Sequence, residues 1–353
     1  MSGLYIHIPF CERKCSYCAF YSFSKPWKNV DGFFRTLEKE LQSLPEDFAP
    51  ETLFIGGGTP TALDIQTLEK FLPMLGKFSP QEFSCEANPG TVNRAKLDLL
   101  RKNGVNRLSI GVQSFDSRCL ETLGRIHSAE EAESAFRLAR AAGFENIGLD
   151  LIFGVPGQTI EMLEADLNRA LALEPEHISI YNLMYEEGTP LTAGNPERLD
   201  EGLEREMYDL IRARLKRAGF THYEISNFAK PGFECRHNLL YWSGGEYIGV
   251  GPAAHSHWKG MRRANAADLD EYCANGPRRE FEETLDPEAK ERETLVMGLR
   301  LLDGVVVSPG LWEKLAESFQ TLEKSGLLVL DGRRIRLSED ALFVSDAVFT
   351  ELV

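Results

Sequence analysis

Short apolar runs alternate with longer stretches of helical periodicity through the first half of the chain. Six runs have the length and the β-branched, apolar character of buried strands, and they cover residues 4–8, 52–55, 82–85, 107–111, 147–152 and 178–182. Between them, apolar positions recur every three or four residues, which predicts helices over 31–44, 65–75, 94–102, 129–142 and 160–173. Ser128 and Glu131 match a capping box at the start of one helix, and Gly143 stands where that helix should end.

This alternation predicts a parallel sheet with right-handed crossovers, either open and doubly wound or closed into a barrel. In both arrangements the functional edge is formed by the carboxyl ends of the strands. The unusual residues of this chain follow those ends. They are three cysteines after the first strand, 56–61 (GGGTPT) after the second, 86–89 (EANP), 113–115 (QSF), Asp150 and 154–157 (GVPG).

The second half of the chain has a different pattern of apolar and polar residues. A turn-rich stretch after Tyr185 is followed by a charged helix near 201–217 and by an irregular segment, 221–263, rich in aromatic residues, glycine and histidine. From Pro287 the pattern predicts two helices, a hairpin turning at Asp331-Gly332 and a last helix near 341–351, an order that resembles a winged helix. We therefore predict a core over 1–185, a connecting segment over 186–265 and a smaller α+β domain over 266–353.

The net charge and the apolar pattern of the chain bear on its partners and its location. A formal charge of -15 repels phosphate backbones and argues against a nucleic-acid partner. No apolar run reaches the roughly 20 residues of a membrane span, and the residues ahead of the first strand do not have the pattern that predicts a signal peptide. These features predict a cytoplasmic protein with reduced thiols.

Cys11, Cys15 and Cys18 fall within eight residues, in the spacing C-x3-C-x2-C. Three thiolates on one loop can hold three irons of a four-iron, four-sulfur cluster and leave the fourth iron open. Zinc is an alternative that needs a fourth nearby ligand, and His7 could serve only if the chain reversed direction out of the first strand. Unliganded thiols are the third possibility.

This spacing, with Tyr17 just before the third cysteine, resembles the radical S-adenosylmethionine (SAM) superfamily. The resemblance implies a partial (β/α)6 barrel of the TIM type, a [4Fe-4S] cluster held by the three cysteines, and SAM on the open iron. It is closest to the branch of oxygen-independent coproporphyrinogen III oxidases, through the segments 5–11 (YIHIPFC), 56–61, 111–115 (GVQSF) and 150–157 (DLIFGVPG).

The resemblance also implies a set of SAM-binding residues. Gly57 and Gly58 would let the backbone approach the methionine end of SAM, Arg125 would pair with its carboxylate, and Gln113 would bond its ribose. The remaining implied residues are Tyr5, Tyr17, Thr59, Glu86, Asp150 and Met184.

Two features depart from the oxidases of this branch. Those enzymes carry a fourth cysteine two residues after the third, where this chain has Ala19 and Phe20, and they carry a longer segment ahead of the first strand. Both departures argue against the decarboxylating reaction. Coproporphyrinogen III dehydrogenase, which forms protoporphyrinogen IX, is therefore kept as the alternative function, and a tRNA-modifying enzyme is disfavoured by the acidic charge.

A second motif suggests haem. His237, Asn238, Tyr241 and Trp242 form H-N-x-x-Y-W, which resembles the motif of the HemW proteins, the haem chaperones of this branch. Imidazole is a good axial ligand for haem iron, and aromatic rings pack on a macrocycle. The resemblance implies haem b bound through His237 and delivered to acceptor haemoproteins such as respiratory-chain components. A homodimer and a peripheral position at the inner membrane face are also compatible with it.

Other histidines and cysteines carry weaker signals. His255 and His257 form an H-x-H pair that could bind a metal, although local hydrogen bonding is the simpler interpretation. The four scattered thiols, Cys85, Cys119, Cys235 and Cys273, are interpreted as structural, with Cys235 close enough to His237 to act beside haem.

Overall fold

The computed structural model describes residues 1–352 of the chain. Within these residues one twelve-stranded sheet dominates, in the order β14-β13-β12-β11-β1-β4-β5-β6-β7-β8-β10-β9. Its strands are β1 (Ser2–Ile8), β4 (Thr52–Gly57), β5 (Glu82–Ala87), β6 (Arg107–Gln113), β7 (Asn146–Phe153), β8 (His177–Asn182), β9 (Thr221–Glu224), β10 (Asn227–Ala229), β11 (Glu246–Val250), β12 (His255–Trp258), β13 (Met261–Asn265) and β14 (Arg279–Thr284). A separate two-stranded pair, β2 (Phe10–Cys11) and β3 (Phe23–Ser24), follows β1.

The six predicted strands are confirmed as β1, β4, β5, β6, β7 and β8, which pair in parallel in that order. They are largely buried on both faces; in β6, for example, all seven residues from Arg107 to Gln113 are buried. The fold is the mixed α/β architecture with a large parallel sheet that the pattern predicts. The sheet is open, with β9 and β14 as its edges.

The segment 221–263, for which the sequence pattern predicts no regular structure, completes this sheet. It contains β11, a seventh parallel strand paired with β1, and the antiparallel strands β9, β10, β12 and β13. Its glycines and histidines hide the apolar alternation that marks a strand, because the short strands depend on close backbone packing. Gly249 is an example, since a Cβ there would lie 2.1 Å from the carbonyl oxygen of His255.

Helices cover the sheet at nearly the predicted positions. The capping box of Ser128 and Glu131 is present, and Gly143 adopts a positive φ after the helix. No helix among residues 1–352 has both the length and the apolar character needed to cross a membrane. The helices are α1 (Val30–Gln42), α2 (Ile65–Phe71), α3 (Arg94–Lys102), α4 (Ser117–Thr122), α5 (Ala129–Ala141), α6 (Ile160–Ala172), α7 (Pro190–Ala193), α8 (Glu201–Arg217), α9 (Arg236–Trp242), α10 (Leu269–Asn275), α11 (Pro287–Gly298), α12 (Pro309–Lys324) and α13 (Ser345–Thr350).

The C-terminal unit has the predicted helices and hairpin. Strands β16 (Leu328–Asp331) and β17 (Arg334–Leu337) form the hairpin, and β15 (Val305–Val306) adds a third strand beside β17. The strand pairing continues across the predicted boundary at residue 265, because β14 pairs with β13. The three-part division of the chain remains a prediction.

A buried carboxylate joins the first helix to the end of the sheet. Glu40 of α1 accepts hydrogen bonds from the Gly251 amide (2.8 Å), the Asn265 side-chain amide (2.9 Å) and the Tyr272 hydroxyl (2.7 Å). These donors come from the loop after β11, from β13 and from α10. One side chain therefore holds three separate pieces of the chain together.

Replacing Glu40 by Ala should lower the free energy of unfolding by about 3 kcal/mol or more, because each buried donor left without a partner costs about 1–3 kcal/mol. Urea unfolding followed by circular dichroism measures the change. Glu38→Ala, an exposed position on the same helix, is the matched control and should stay within about 0.5 kcal/mol of the parent. Equal stability of the two variants would show that Glu40 does not hold these segments.

Candidate functional site

The cysteine loop is shaped by its flanking strands. β2 and β3 pair in parallel, through Phe10 with Phe23 and Cys11 with Ser24. The chain between them must therefore return to the beginning of β2 before it runs in the same direction again. The Trp27 indole N–H donates to the Cys11 carbonyl (2.8 Å), and the Ser16 hydroxyl donates to the Thr122 carbonyl (2.7 Å). The loop is thus tied at both of its ends and in its middle.

The cysteine thiols face a polar framework from neighbouring strand ends. The Thr59 hydroxyl lies 3.6 Å from the Cys11 sulfur, and Arg125 Nη1 lies 3.2 Å from the Cys15 sulfur. Burial raises the pKa of Cys11 and of Cys18, so both thiols hold their protons in the absence of a cation. Metal binding would release those protons, since it is the thiolate that ligates.

The geometry disfavours zinc with His7 as a fourth ligand. Both ring nitrogens of His7 are already bonded, Nδ1 to the Tyr5 hydroxyl (3.2 Å) and Nε2 to the Tyr21 carbonyl (2.8 Å). In the part of the chain that the structure describes, no three His, Cys, Asp or Glu side chains surround a position for a single metal ion. A four-iron cluster places each thiolate on a different iron and does not require such convergence.

A cavity of about 440 Å³ opens beside the three cysteines, at the carboxyl ends of the strands. Its size is ordinary for a small-molecule site. It brings together the cysteines and nine of the ten predicted SAM residues, Tyr17, Gly57, Gly58, Thr59, Glu86, Gln113, Arg125, Asp150 and Met184. Phe20 and Met184 lie at its rim and are 67% and 64% exposed.

Two carboxyl groups line the floor of this cavity. Glu86 Oε2 accepts from the Gly57 amide (3.1 Å), and Asp150 accepts from the Ser109 hydroxyl (3.0 Å). Burial raises the pKa of both groups, and the pKa of Glu86 rises to about 8. An ammonium or a ribose hydroxyl entering the cavity would meet both carboxyl groups.

The glycines at the end of β4 have a structural role besides the expected approach to SAM. A Cβ on Gly57, where φ is +98°, would lie 2.4 Å from the His7 ring, and a Cβ on Gly58 would lie 2.7 Å from the Ile8 carbonyl oxygen. The Gly58 amide donates to that carbonyl (2.8 Å). Both amides are therefore used inside the protein, and the glycines allow β4 to pack against the start of the cysteine loop.

Asn88 is a site residue that the sequence pattern marks only as part of the segment 86–89. Its side chain donates to the Thr59 hydroxyl (2.7 Å) and accepts from Arg125 (2.6 Å), so it joins the two groups that touch the cysteine sulfurs. The signal in the sequence that could have identified Asn88 is its position directly after strand β5. Gln113 stands nearby at a break in the strand register, with φ of +67°, which aims its side chain into the cavity.

The side chains at this site fit the two groups that the sequence predicts, a [4Fe-4S] cluster and SAM. Three thiols lie on one tethered loop, and carboxyl, amide and guanidinium groups surround the adjoining cavity. Arg125 Nε is buried without a hydrogen-bond partner, which leaves donor capacity in this framework. Cys11, Cys15 and Cys18 could hold a cluster, and the cavity beside it could hold SAM.

His237 lies at the opposite end of the sheet. It contacts the first residues of two strands: Nδ1 is 2.8 Å from the Thr52 hydroxyl, and its amide donates to Glu82 (3.1 Å). From Thr52 to Gly57 the strand spans roughly 17 Å, at about 3.3 Å per residue. The His237 site and the cysteine site are therefore separate, one at each end of β4.

The structure encloses the His237 ring. The side chain is 1% exposed, Nε2 is 2.8 Å from the Tyr241 hydroxyl, and the ring stacks on Phe54 at 5.2 Å between centroids. Burial lowers the pKa of His237 to about 3, so the ring is neutral at physiological pH. In this conformation neither ring nitrogen is free to ligate iron.

The other motif residues surround this histidine or face its neighbours. Asn238 lies on the same short helix and is partly buried. The Trp242 ring packs under the Arg300 guanidinium at 4.3 Å, and its indole nitrogen is buried without a partner. Tyr5, the tenth predicted SAM residue, is absent from the cavity lining and lies between His7 and His237 instead.

The remaining histidines and cysteines do not form a further centre. His255 is exposed and lies near Phe281, whereas the ring of His257 on the same strand is buried beside Lys290. Cys85, Cys119 and Cys235 are buried, as expected for structural thiols. Cys235 lies 3.6 Å from Glu82, the residue that also binds the His237 amide.

Comparison with known proteins decides the family. The model of the radical SAM superfamily matches residues 5–170, and that of the HemN C-terminal domain matches residues 285–344. A Bacillus subtilis protein named heme chaperone HemW is 40% identical over 86% of this chain and 85% of its own length. The chain belongs to the HemW family of radical SAM proteins. A Lactococcus lactis HemW is 34% identical over the whole of this chain and 97% of its own length.

A solved structure supports the fold of this HemW-family chain. Coproporphyrinogen III oxidase (HemN) from Escherichia coli, described as a radical SAM enzyme, superposes with a TM-score of 0.85 over 99% of this chain and 89% of its own. Sequence identity to it is 23%, so the likeness concerns the fold alone. Within the family, the chain combines a cysteine site at one end of the sheet with the His237 motif at the other.

The buried carboxyl of Glu86 gives a test of the cavity. Because its pKa is raised to about 8 from 4.5, the folded chain binds this proton more tightly than the unfolded chain does. Its contribution to stability is full below pH 4.5 and is lost as the pH rises through about 8. The stability of the cluster-free parent should therefore fall relative to Glu86→Gln across this range. Urea unfolding at several pH values measures it, and parallel stability curves would contradict the prediction.

Proposed function

We propose that this chain is a haem chaperone on a radical SAM scaffold, binding haem through the His237 motif and passing it to acceptor haemoproteins. The observation that carries the proposal is its 40% identity, over most of both chains, to a relative named heme chaperone. The motif residues His237, Asn238, Tyr241 and Trp242 all lie on one helix, α9. Respiratory-chain haemoproteins are the acceptors we propose, and they would bring a cytoplasmic chaperone to the inner face of the membrane.

The separation of the two sites favours a chaperone over an enzyme that acts on haem. A haem bound at His237 would lie at the opposite end of the sheet from the cysteine cavity, and Tyr5 and Phe54 would lie between the two sites. A group held in the cavity would therefore not touch it. We infer that the cysteine site supports dimerisation or transfer, as a partner of haem binding rather than as its reaction centre.

We propose Cys11, Cys15 and Cys18 as the ligands of a [4Fe-4S] cluster and the nine cavity residues as the SAM site. When bound, the cluster would supply an open iron for SAM and one electron for its cleavage. Thr59, Asn88 and Arg125 are joined by hydrogen bonds, and the ends of this network contact the sulfurs of Cys11 and Cys15. The network would therefore orient the cluster and SAM. The carboxyl groups of Glu86 and Asp150 would meet the polar end of SAM.

Cys18→Ala should abolish the visible iron–sulfur absorbance after anaerobic reconstitution, together with any cleavage of SAM, because two thiolates do not hold a four-iron cluster. Iron and sulfide analysis and the absorbance spectrum measure the loss. Cys273→Ala is the matched control, since Cys273 lies on α10 away from the cavity. A full cluster in the Cys18 variant would show that another residue is a ligand.

His237→Ala should weaken haem binding by more than the roughly 10- to 100-fold that loss of an outer-shell partner typically costs. Haem titration followed by absorbance measures the affinity, and circular dichroism checks that the variant is folded. His255→Ala, at an exposed histidine, is the control and should bind haem as the parent does. Unchanged affinity and spectrum in the His237 variant would exclude it as the ligand.

The same preparations test the alternative function. Incubated anaerobically with cluster, SAM and coproporphyrinogen III, the chain should form no protoporphyrinogen IX. Conversion would identify it as the dehydrogenase instead.

A further inference from the structure

Exposed apolar side chains lie at the mouth of the cysteine cavity. Among residues 1–352, ten large apolar side chains are exposed, and three of them, Phe20, Tyr181 and Met184, line this one cavity. Phe20 is 67% exposed and Met184 is 64% exposed, although side chains of these types are among those most often enclosed in a folded chain. A group of exposed apolar side chains commonly marks a surface that another molecule covers.

Charged side chains of opposite sign stand beside these apolar residues, on two segments of the chain. The segment 13–20 (RKCSYCAF), which ends at Phe20, has two basic side chains and no acidic one. The segment 184–187 (MYEE), which begins at Met184, has two acidic side chains and no basic one. All four charged side chains are exposed, and none of them forms an ion pair with another residue between 1 and 352.

Internal contacts hold the two segments in fixed positions. The Ser16 carbonyl, on the first segment, accepts a hydrogen bond from the Leu191 amide, beyond the second (2.8 Å). Tyr17 and Tyr185, one from each segment, pack against the same small group of buried apolar side chains. The segments therefore keep their relative position without a partner, which lowers the cost of ordering them when one binds.

We propose that the mouth surface, made of the segments 13–20 and 184–187, is an interface between two copies of this chain. The inference rests on the proposed function, because it gives a structural form to the role in dimerisation proposed there for the cysteine site. A two-fold axis would place the basic segment of each copy against the acidic segment of the other. Such an interface is isologous, which requires one patch that is complementary to itself.

The mouth surface meets this requirement in the chemistry of its side chains. Lys14 would pair with the partner's Glu186, and Phe20 would pack against the partner's Met184. The two-fold axis makes each of these contacts twice. Contact between a thioether sulfur and an aromatic ring is favourable, and opposite charges around an apolar centre fix the register of an interface.

The presence of both signs of charge favours a second copy over other partners. An anionic membrane would attract Arg13 and Lys14 but would repel Glu186 and Glu187 in the same surface. A strongly acidic or strongly basic protein would meet the same conflict. Because each copy has a net charge of -15, the copies repel one another as whole molecules, and their association must depend on local pairs of opposite charge.

Such a dimer would cover the mouths of both cysteine cavities. Phe20 and Met184 lie at the rim of each cavity, so the side chains of the partner would lie over it. Excluding water from the cavity would strengthen the polar contacts on its floor. The interface also gives a role to Phe20, which stands where the oxidases of this branch carry their fourth cysteine.

Light scattering and analytical ultracentrifugation of the anaerobically reconstituted chain measure its mass and its dimer affinity. Lys14→Glu and Glu186→Lys should each weaken the dimer roughly 5- to 30-fold, because each change replaces two attractive contacts by repulsive ones. Lys28→Glu makes the same change of charge at an exposed lysine that does not line the cavity, and it should dimerise as the parent does.

A mixture of the two weakened variants gives a sharper test. The Lys14→Glu chain and the Glu186→Lys chain should form a heterodimer about as tightly as the parent, because one ion pair is then native and the other has both signs reversed. A folding defect cannot produce this recovery. A parent that stays monomeric at the highest concentration measured, single variants that dimerise like the parent, or a mixture as weak as its components would each overturn the interface.

Haem titration of the same samples distinguishes this inference from the proposed function. Lys14 and Glu186 lie at the cysteine end of the sheet, so both variants should bind haem as the parent does. If their dimers are unchanged while His237→Ala loses haem, the interface is wrong and the proposed function stands. If His237→Ala keeps haem, the proposed function fails, and the mass measurements alone decide the interface.

Discussion

Strand β1 is the element on which both sites depend. It pairs in parallel with β4 on one side and with β11 on the other, and its apolar residues Leu4, Ile6 and Ile8 are fully buried. The cysteine loop leaves its carboxyl end within three residues, and the helix that carries His237 packs against its beginning, where Gly3 leaves room for the ring. Because parallel strands share one direction, the two sites are held at opposite ends of the sheet.

Buried carboxyl groups organise the chain around this strand. Glu82 caps the motif helix, Glu40 joins α1 to the segments after β11, and Glu86 lies against the Gly57 amide on the cavity floor. Each accepts a hydrogen bond from a backbone amide outside its own strand or helix. Such groups are costly to bury unless they are fully bonded, so they specify which segments meet. The motif helix, only seven residues long, owes its position to this kind of contact.

The cysteine cavity and the His237 motif are separate sites at opposite ends of the sheet. The cavity beside the cysteines has the thiols, carboxyl groups and guanidinium that a cluster and SAM would need. The His237 ring is instead buried and bonded on both nitrogens, to the hydroxyls of Thr52 and Tyr241.

The sequence by itself determined the parallel α/β core, the cysteine loop and most of the cavity residues. Buried strands and amphipathic helices are local patterns, and residues that follow parallel strands must meet at one edge. Only the tertiary structure decided the seventh parallel strand β11, the hydrogen-bond network through Asn88, and the separation of Tyr5 from the cavity. It also decided the state of His237. Its partners Thr52 and Glu82 lie more than 150 positions away in the chain, and no local pattern encodes a hydrogen bond between such distant residues.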